Sequence, residues 1–395
     1  MTERSPAHDT LRQFIDTHFD QQVETLARLV QCPSDNPPGD CAPHAELTAR
    51  LLEAMDFEVE RHPVPAGFAQ QHGMRSVTNL IVRERFGDGP VVALNAHGDV
   101  VPPGAGWTRS PYSGEVRDGW LYGRGAAVSK SDFTTYAFAL RALKALRASG
   151  AALAGTVELH LTYDEETGGM TGPAWILSQG LSRPDYVISA AFSHHVVVAH
   201  NGCLHLEVTL RGKSAHAARP DTGADAIEAA ATLLPALYRS RDRLAERPSQ
   251  TPGITHPTMV VGLIEGGINT NVVADTLTLR IDRRIVPEEV PEAVEAELRQ
   301  VIEDACSALP GITVEIRQIL LARPFAPAPG AKEFAELMCR EAGIPTVMYG
   351  AGPESLLEAN GHRADERVPL DELRRATVVV ANTLLQLLTQ PKETR

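Results

Sequence analysis

The sequence has little of what a secreted, membrane-spanning or nucleic-acid-binding protein needs. Its 395 residues contain only five cysteines, dispersed and odd in number, so neither a disulfide framework nor a cysteine zinc knuckle is expected. No apolar run approaches the length of a membrane span, and the first residues lack the apolar core of a signal peptide. Positive charge is scarce too, and the net charge of −13 would repel a polyanion. We therefore expect a cytoplasmic protein that binds neither nucleic acid nor membrane.

The length and the element pattern predict two α/β domains, one inserted into the other. A chain of 395 residues exceeds what one compact core usually holds. Between residues 201 and 320 the apolar spacing predicts strand, helix, two strands, helix and strand, at 204–210, 225–238, 259–264, 277–284, 288–309 and 312–316. That βαββαβ order is typical of a ferredoxin-like module. The flanking parts, 1–200 and 321–395, are then the two halves of the other domain.

The first candidate site residues follow a buried strand predicted at 91–95. His97 and Asp99 are two positions apart, so in an extended chain their side chains point the same way. A histidine can bind a metal, and an aspartate can fix the orientation of that imidazole. The alternative is an ordinary surface turn, because the H-x-D pattern alone is weak.

A second group follows the strand predicted at 157–162. Asp164, Glu165 and Glu166 are adjacent carboxylates whose mutual repulsion costs free energy unless a cation or a proton is present. A solvated acidic turn is the alternative interpretation of these three residues.

The stretch from 97 to 132 resembles the aminoacylase, acetylornithine deacetylase, succinyl-diaminopimelate desuccinylase and carboxypeptidase G family of two-zinc hydrolases. The shared pattern is roughly H-x-D-V-V-P, then W, P-F/Y and D-G-x-L-Y-G-R-G-x-x-D-x-K, and further motifs extend the resemblance over nearly the whole chain. It implies an α/β/α catalytic domain of the zinc-exopeptidase type. The inserted domain at 201–320 would be a lid that also forms a homodimer.

The resemblance also implies an incomplete metal centre. His97, Glu166 and His362 match three of the family's ligands, but Val128 and Ala191 stand where it has carboxylates. We therefore expect one divalent metal per chain or fewer, with zinc favoured and manganese or cobalt as alternatives. Other side chains close to these motifs in the sequence could replace the missing ligands: His194, His195, His200 and Asp132.

By the same resemblance, Glu165 is the general base, Asp99 orients His97, and His216 of the partner subunit stabilises the oxyanion. The remaining matched positions are substrate contacts: Asn271, Arg284, Gly350 and Gly352. For Arg284, a plain surface charge is an equally good interpretation.

The expected activity is hydrolysis of an amide bond in a small N-acyl amino acid, a dipeptide or a related carboxylate. One alternative is a non-catalytic relative that keeps the cleft as a small-ligand binding module. Another is a metal-free lytic reaction that uses Glu165 and His216 as an acid–base pair.

Overall fold

The computed structural model describes residues 6–192, 199–325, 338–339, 344–353, 355 and 357–389. The chain divides into two compact units: the first is Met1–Val197 with Ala328–Arg395, and the second is Val198–Pro327. Within the described ranges, no helix has the length and apolar character that crossing a membrane requires.

The first unit begins with helices and strands in alternation. In chain order they are α1 (Pro6–Gln31), α2 (Ala42–Glu53), β1 (Val59–Pro63), α3 (Ala66–Gln71), β2 (Thr78–Arg85), β3 (Val91–His97), β4 (Glu115–Arg117), β5 (Trp120–Tyr122), α4 (Lys130–Ala148), β6 (Thr156–Thr162), α5 (Pro173–Ser178) and β7 (Tyr186–Ser189).

The second unit and the return to the first complete the chain. The second unit contains β8 (Gly202–Arg211), α6 (Ala226–Leu244), β9 (Thr258–Gly266), β10 (Thr276–Ile285), α7 (Pro291–Cys306) and β11 (Thr313–Ala322). The first unit resumes with β12 (Met338–Cys339), β13 (Ile344–Met348), β14 (Arg367–Pro369) and α8 (Leu370–Thr389).

A mixed sheet forms the centre of the first unit. Its described strands have the order β1-β2-β6-β3-β7-β13-β12, with parallel pairing from β6 through β3 and β7 to β13. β3 and β6 are almost entirely buried, as expected for strands covered on both faces. β3 is mostly apolar, whereas β6 alternates apolar residues with Glu158, His160 and Thr162. Helices α1, α4 and α8 pack on one another, and α4 contacts β3 and β6. Their shared core includes Leu94, Leu159 and Phe138.

The second unit has the predicted βαββαβ order. Its antiparallel sheet runs β11-β8-β10-β9, and α6 and α7 pack against each other and against the sheet. Along β8 the residues Leu204, Leu206, Val208 and Leu210 are fully buried, whereas the residues between them are half-exposed. One face of the sheet therefore packs on the helices and the other remains open.

The fold class predicted from the sequence is confirmed, with differences in the lengths of elements. The helix predicted at 225–238 continues to Leu244, which is itself buried in the core of the second unit. The strand predicted at 312–316 continues to Ala322, because β11 pairs with β8 as far as Cys203. Short elements such as α3 and α5 escaped prediction, since six residues carry too little periodicity to recognise.

Candidate active site

The site forms at the carboxyl ends of β3 and β6. These strands are parallel, and their register places His97 beside Thr162. Asp164, Glu165 and Glu166 follow Thr162 directly, so the two predicted groups meet at one edge of the sheet. β7 ends on the other side of β3, with Asn95 opposite Ser189. Ligands of open α/β sheets bind at this edge, where parallel strands end.

Asp99 is the residue that holds this edge together. Its fully buried carboxylate accepts hydrogen bonds from the backbone amides of Glu165 at 3.2 Å and Glu166 at 3.1 Å. It also accepts from Nδ2 of Asn36 at 2.9 Å. Burial opposes the charged form, but His97, Asn36 and the Glu166 amide together lower the pKa of Asp99. A charged Asp99 thus fixes the backbone on which Glu165 and Glu166 stand.

The imidazole of His97 is oriented from one side. Its Nδ1 lies 3.0 Å from the backbone oxygen of Asp99 and 3.4 Å from that residue's Oδ1. Both neighbours are acceptors, so Nδ1 carries a proton and Nε2 is left to face the carboxylates. Burial lowers the pKa of His97, but Glu165, Asp99 and Glu166 outweigh it and raise the pKa to about 10. The site is thus strongly attractive to positive charge.

Three ligand atoms converge at this point. One from each of His97, Glu165 and Glu166 lie within 4.8 Å of one another. Oε1 of Glu166 is buried and has no donor aligned for a hydrogen bond in the described structure, although Nε2 of His362 lies 3.3 Å away. A buried carboxylate oxygen without a hydrogen bond is unfavourable unless a proton or a cation compensates it. Contact with Glu166 raises the pKa of His362 as well.

Asp164 does not belong to this cluster. Its carboxylate turns into the protein and accepts from the backbone amide of Thr171 at 2.5 Å and from the Thr171 hydroxyl at 2.9 Å. Burial, followed by the charge of Asp99, raises the pKa of Asp164 to about 6. Only two of the three adjacent carboxylates therefore face the site.

His362 is brought to the site by a loop that a buried carboxylate anchors. Glu366 is fully buried, pairs with Arg124, and accepts hydrogen bonds from the backbone amides of Gly125, Ala127 and Val128 at 3.1 to 3.2 Å. His362 itself has a φ of 60°, in the left-handed region that side chains of L-residues rarely adopt. Such a conformation persists only where the surrounding structure fixes it.

The predicted substrate-contact glycines are buried beside the site. A Cβ on Gly350 would lie 1.4 Å from the backbone oxygen of Ala191, so no side chain fits there. Gly352 is buried as well. Close packing against the backbone of Ala191, just after β7, thus accounts for the glycine at position 350, and its contact with substrate stays a prediction.

In the second unit, His216 and Asn271 lie on adjacent segments. The Ala217 amide donates to the Asn271 backbone oxygen at 3.0 Å, and His216 pairs with Val272 in a β-bridge. Nδ1 of the exposed His216 accepts from the Ala218 amide at 3.0 Å, so Nε2 carries the proton and can donate.

Arg284 lies at the opposite end of the same sheet. It comes eight residues after Thr276, the first residue of β10, which corresponds to about 26 Å along the strand. The guanidinium is exposed and donates to Asp282 at 2.9 Å. Within one chain, the described structure therefore brings His216 and Asn271 together and leaves Arg284 apart.

Comparison with known proteins places the chain in a family. The sequence profile of "Peptidase family M20/M25/M40" matches residues 93–386. The chain belongs to this family. It is a metal-dependent hydrolase of amide bonds, as the family's deacetylases, desuccinylases and peptidases are.

Two curated relatives cover most of the chain. An acetylornithine deacetylase from Myxococcus xanthus is 30% identical over 364 residues, which are 87% of this chain and 91% of that protein. A succinyl-diaminopimelate desuccinylase from Dechloromonas aromatica (strain RCB) is 27% identical over 401 residues, 94% and 99% of the respective chains.

Solved structures share the fold at low sequence identity. The dipeptidase Dug1p from Saccharomyces cerevisiae has a TM-score of 0.78 at 13% identity, covering 98% of this chain and 99% of that one. Human carnosine dipeptidase 1 has a TM-score of 0.75 at 17% identity, covering 97% and 100%.

The M20/M25/M40 family implies a divalent metal, and the residues present fit one such ion. Imidazole and carboxylate are the donors that zinc accepts in catalytic sites. The clustered ligand atoms, among them a Glu166 carboxylate whose Oε1 accepts no aligned hydrogen bond in the described structure, supply those donors. At the two other family positions, Val128 is half-buried and apolar, and Ala191 is buried at 5% exposure. Neither side chain can coordinate a second ion.

The possible replacement ligands do not join the cluster. Asp132 is fully buried on α4, and the described structure gives neither carboxylate oxygen a hydrogen-bond partner, but it lies outside the convergent group of ligand atoms. Burial raises the pKa of Asp132 well above its ordinary range. His200 belongs to the second unit, where its ring stacks on Phe325. His194 and His195 lie outside the described residues.

Sequence reasoning missed two residues that shape the site. Nothing in the sequence around Asn36 marks it as a site residue, yet its side chain donates to Asp99. Glu366 connects the His362 loop to the Val128 segment. Its place four residues after His362 is the one sequence signal that could have singled it out.

Proposed function

We propose that this M20/M25/M40 hydrolase removes the acyl group from a small N-acyl amino acid, or cleaves a dipeptide, with one divalent metal at His97, Glu166 and His362. The observation that carries the proposal is the convergence of His97, Glu165 and Glu166 at the ends of two parallel strands. His362 lies outside this convergent group, but its Nε2 is 3.3 Å from Oε1 of Glu166. The named relatives act on acetylornithine and succinyl-diaminopimelate, so amides that carry an amino-acid carboxylate are the substrates to test.

When bound, the metal would acidify a water molecule and polarise the scissile carbonyl. Zinc suits the imidazole and carboxylate donors, and manganese and cobalt are the alternatives.

Glu165 is the general base in this proposal. Its side chain is 61% exposed, so it can reach a water molecule in the cleft, while its backbone is held by Asp99. Although the side chain reaches solvent, partial desolvation of its carboxyl by the surrounding atoms raises the pKa of Glu165, and His97 acts in the opposite direction. A base with a raised pKa binds the proton of the attacking water more strongly, and can then pass it to the leaving amine. A binding module would not need such a group.

His216 and Asn271 would act on the substrate from the partner subunit. Nε2–H of His216 can donate to the developing oxyanion. A small substrate cannot contact both this end of the sheet and Arg284, about 26 Å along β10, within one chain. Residues from two subunits could serve one substrate, with Arg284 exchanging Asp282 for the substrate carboxylate.

The outer strand of the lid supports such a dimer. β9 is an edge strand of its sheet, and Val260 and Ile264 on it are 58% and 54% exposed. A long, apolar edge strand is a template for pairing with another chain. We propose that two copies pair along β9 to form the homodimer.

The proposal is tested with a panel that includes N-acetylornithine, N-succinyl-diaminopimelate and several dipeptides, on protein reconstituted with zinc, manganese or cobalt. Release of free amine is measured. Glu165→Gln should keep the fold and the bound metal but lower turnover at least about a hundredfold. Glu246→Gln, on an exposed residue of the second unit, serves as the matched control and should leave turnover unchanged. Turnover of Glu165→Gln within a few-fold of the wild type would remove Glu165 from this role.

A further inference from the structure

A second group of reactive side chains lies on the open face of the sheet in the second unit. Cys203 and His205 are two positions apart on β8, so both point away from the buried leucines of that strand. The register with β10 places Asp282 opposite His205 and Arg284 opposite Cys203. All four side chains are therefore neighbours on one face, and each is at least partly exposed.

Charge links three of the four residues. Nε2 of His205 lies 3.5 Å from Oδ2 of Asp282, and Arg284 donates to that same oxygen through Nε at 3.2 Å and Nη2 at 2.9 Å. Contact with Asp282, followed by contact with Cys203, raises the pKa of His205 to about 9. The imidazole is therefore protonated at neutral pH. Burial opposes the charge on Asp282, but His205 and Arg284 prevail and lower its pKa.

The arrangement is linear. In the described ranges, the only three-residue group of potential metal ligands with convergent atoms is the one around His97, so Cys203, His205 and Asp282 do not form a ready chelate. A line of thiol, imidazole and carboxylate is instead the order in which an imidazole, held by a carboxylate, can exchange a proton with a thiol.

The simplest alternative is an ordinary cross-strand ion pair between His205 and Asp282 on a solvated face. The surroundings of Cys203 argue for more, because an imidazole follows it on its own strand and a guanidinium lies opposite it. Cationic neighbours of this kind attract an anionic reagent to the sulfur, and an imidazolium can donate a proton to a departing thiolate. The other cysteines with described side chains differ: Cys41 and Cys306 are buried, and Cys32 is half-buried without a neighbouring imidazole in its contacts.

We propose that Cys203 is a modification site that forms mixed disulfides with small, carboxylate-bearing disulfides, with the imidazolium of His205 as the proton donor to the leaving group and Arg284 as the anion-binding group. The thiol of Cys203 gives its proton to solvent, and its sulfur attacks one sulfur of the disulfide. The S–S bond of the small molecule breaks, the leaving thiolate takes a proton from the His205 imidazolium, and His205 regains a proton from solvent. The products are one mixed disulfide and one free thiol, and the small disulfide is the oxidant. Arg284 uses Nε and Nη2 for Asp282, which leaves Nη1 for a carboxylate.

The test uses the full chain and two disulfide probes that differ in charge. The anionic probe is 5,5′-dithiobis(2-nitrobenzoate) and the uncharged one is 4,4′-dithiodipyridine. Thiolate release is followed by absorbance, and the modified cysteine is identified by mass spectrometry of peptides. Cys203 should react first, on the order of tenfold faster than Cys32. Cys203→Ser should remove the fast phase.

The variants separate the two roles. His205→Gln should slow the fast phase with both probes, on the order of tenfold. Arg284→Gln should slow only the anionic probe, and Arg280→Gln is its matched control because Arg280 lies on the same strand and pairs with Glu207 instead. Thermal unfolding of each variant checks the fold. Asp282→Asn, which removes the carboxylate that His205 contacts, tests the role of His205 a second time. A fast phase that maps to another cysteine, or that is the same in His205→Gln and Asp282→Asn as in the wild type, overturns the proposal.

Discussion

The backbone amide of Glu166 donates a hydrogen bond to the carboxylate of Asp99 at 3.1 Å. The amide of Glu165 donates to the other oxygen of the same carboxylate, whose Oδ1 also lies 3.4 Å from the ring of His97. One buried side chain therefore positions the base, a carboxylate ligand and an imidazole ligand in the proposed mechanism. A substitution of Asp99 should therefore affect all three of these residues.

Asp99→Asn is the first prediction. The asparagine keeps the size of the side chain, but its NH2 group would face a backbone amide that also donates, so one hydrogen bond is lost. We expect metal affinity, measured by competition with a chelator, to fall on the order of 10- to 100-fold, with turnover falling in parallel. Asp88→Asn, in an exposed loop, is the control and should change neither. Unchanged metal affinity in Asp99→Asn would show that Asp99 does not position the ligands.

Metal titration of chelator-treated protein should saturate near one equivalent per chain or below. Val128 and Ala191 bring no negative charge, so two dications would meet too few carboxylates in a partly dry site, which is costly. Isothermal calorimetry or elemental analysis measures the ratio. Two tight equivalents would contradict this expectation and would indicate that other residues supply ligands.

Restoring both carboxylates gives the complementary experiment. Val128→Asp with Ala191→Glu should raise the stoichiometry toward two, because a bridging carboxylate can hold two ions about 3.5–4 Å apart. Val128→Asn with Ala191→Gln is the matched control, since it adds polar bulk without charge. If the charged double variant still binds one ion or none, these two side chains do not control occupancy.

Subunit mixing tests whether His216 acts in the partner's site. Two inactive variants, His216→Ala and Glu165→Gln, should regain activity when mixed under conditions that exchange subunits. Random exchange produces hybrid dimers in which one site carries both intact residues, so up to about a quarter of wild-type turnover should return. Exchange is verified independently with differently tagged subunits. Exchange without recovery would mean that each site is complete within one chain.

Lys130 should make stability depend on pH in the alkaline range. It is fully buried, its Nζ donates to the backbone oxygens of Leu29 and Cys32, and burial lowers its pKa to about 8. An unfolded lysine has a pKa of about 10.4, so between these values the unfolded chain binds more protons than the folded one. The free energy of unfolding attributable to Lys130 should therefore rise with pH through this window, by about 3 kcal/mol at most.

Urea unfolding of the wild type and of Lys130→Met between pH 7.5 and about 10.5 measures this effect. Other groups titrate in the same range, and the difference between the two proteins isolates the lysine. The free energy of unfolding of the wild type, measured relative to that of Lys130→Met, should increase as pH rises. Parallel curves would mean that the lysine keeps an ordinary pKa in the fold.

Much of the fold could be predicted because its signals are local. β3 is a nearly continuous apolar run, and the alternation along β6 and β8 repeats at every second residue, so these strands could be recognised from the sequence. His97 and Asp99 could be chosen because they follow such a strand. Their convergence with Glu165 and Glu166 follows from the parallel pairing of β3 with β6, which the resemblance to a known family implied and the residue pattern alone did not.

Other features depend on contacts between distant residues, which no local pattern encodes. Gly350 looked like part of a ligand-binding loop, but it packs against the backbone of Ala191. The three adjacent carboxylates looked equivalent, but Asp164 turns inward to Thr171. Cys203 and Asp282 are far apart in sequence, and only the register of β8 with β10 makes them neighbours.

The hydrogen bond from the Val128 amide to Glu366 spans 238 positions of the chain. A ribosome adding about 5–20 residues per second needs about 12–48 s to cover that distance. During this interval the β3–β6 edge can already exist, while the anchor of the His362 loop has yet to be synthesised. The nascent protein therefore carries an incomplete metal site during about half of its synthesis, from the addition of Glu166 to that of Glu366. The chain can become an active hydrolase only after the His362 loop and its anchor have been added, by which time the inserted lid has had time to fold.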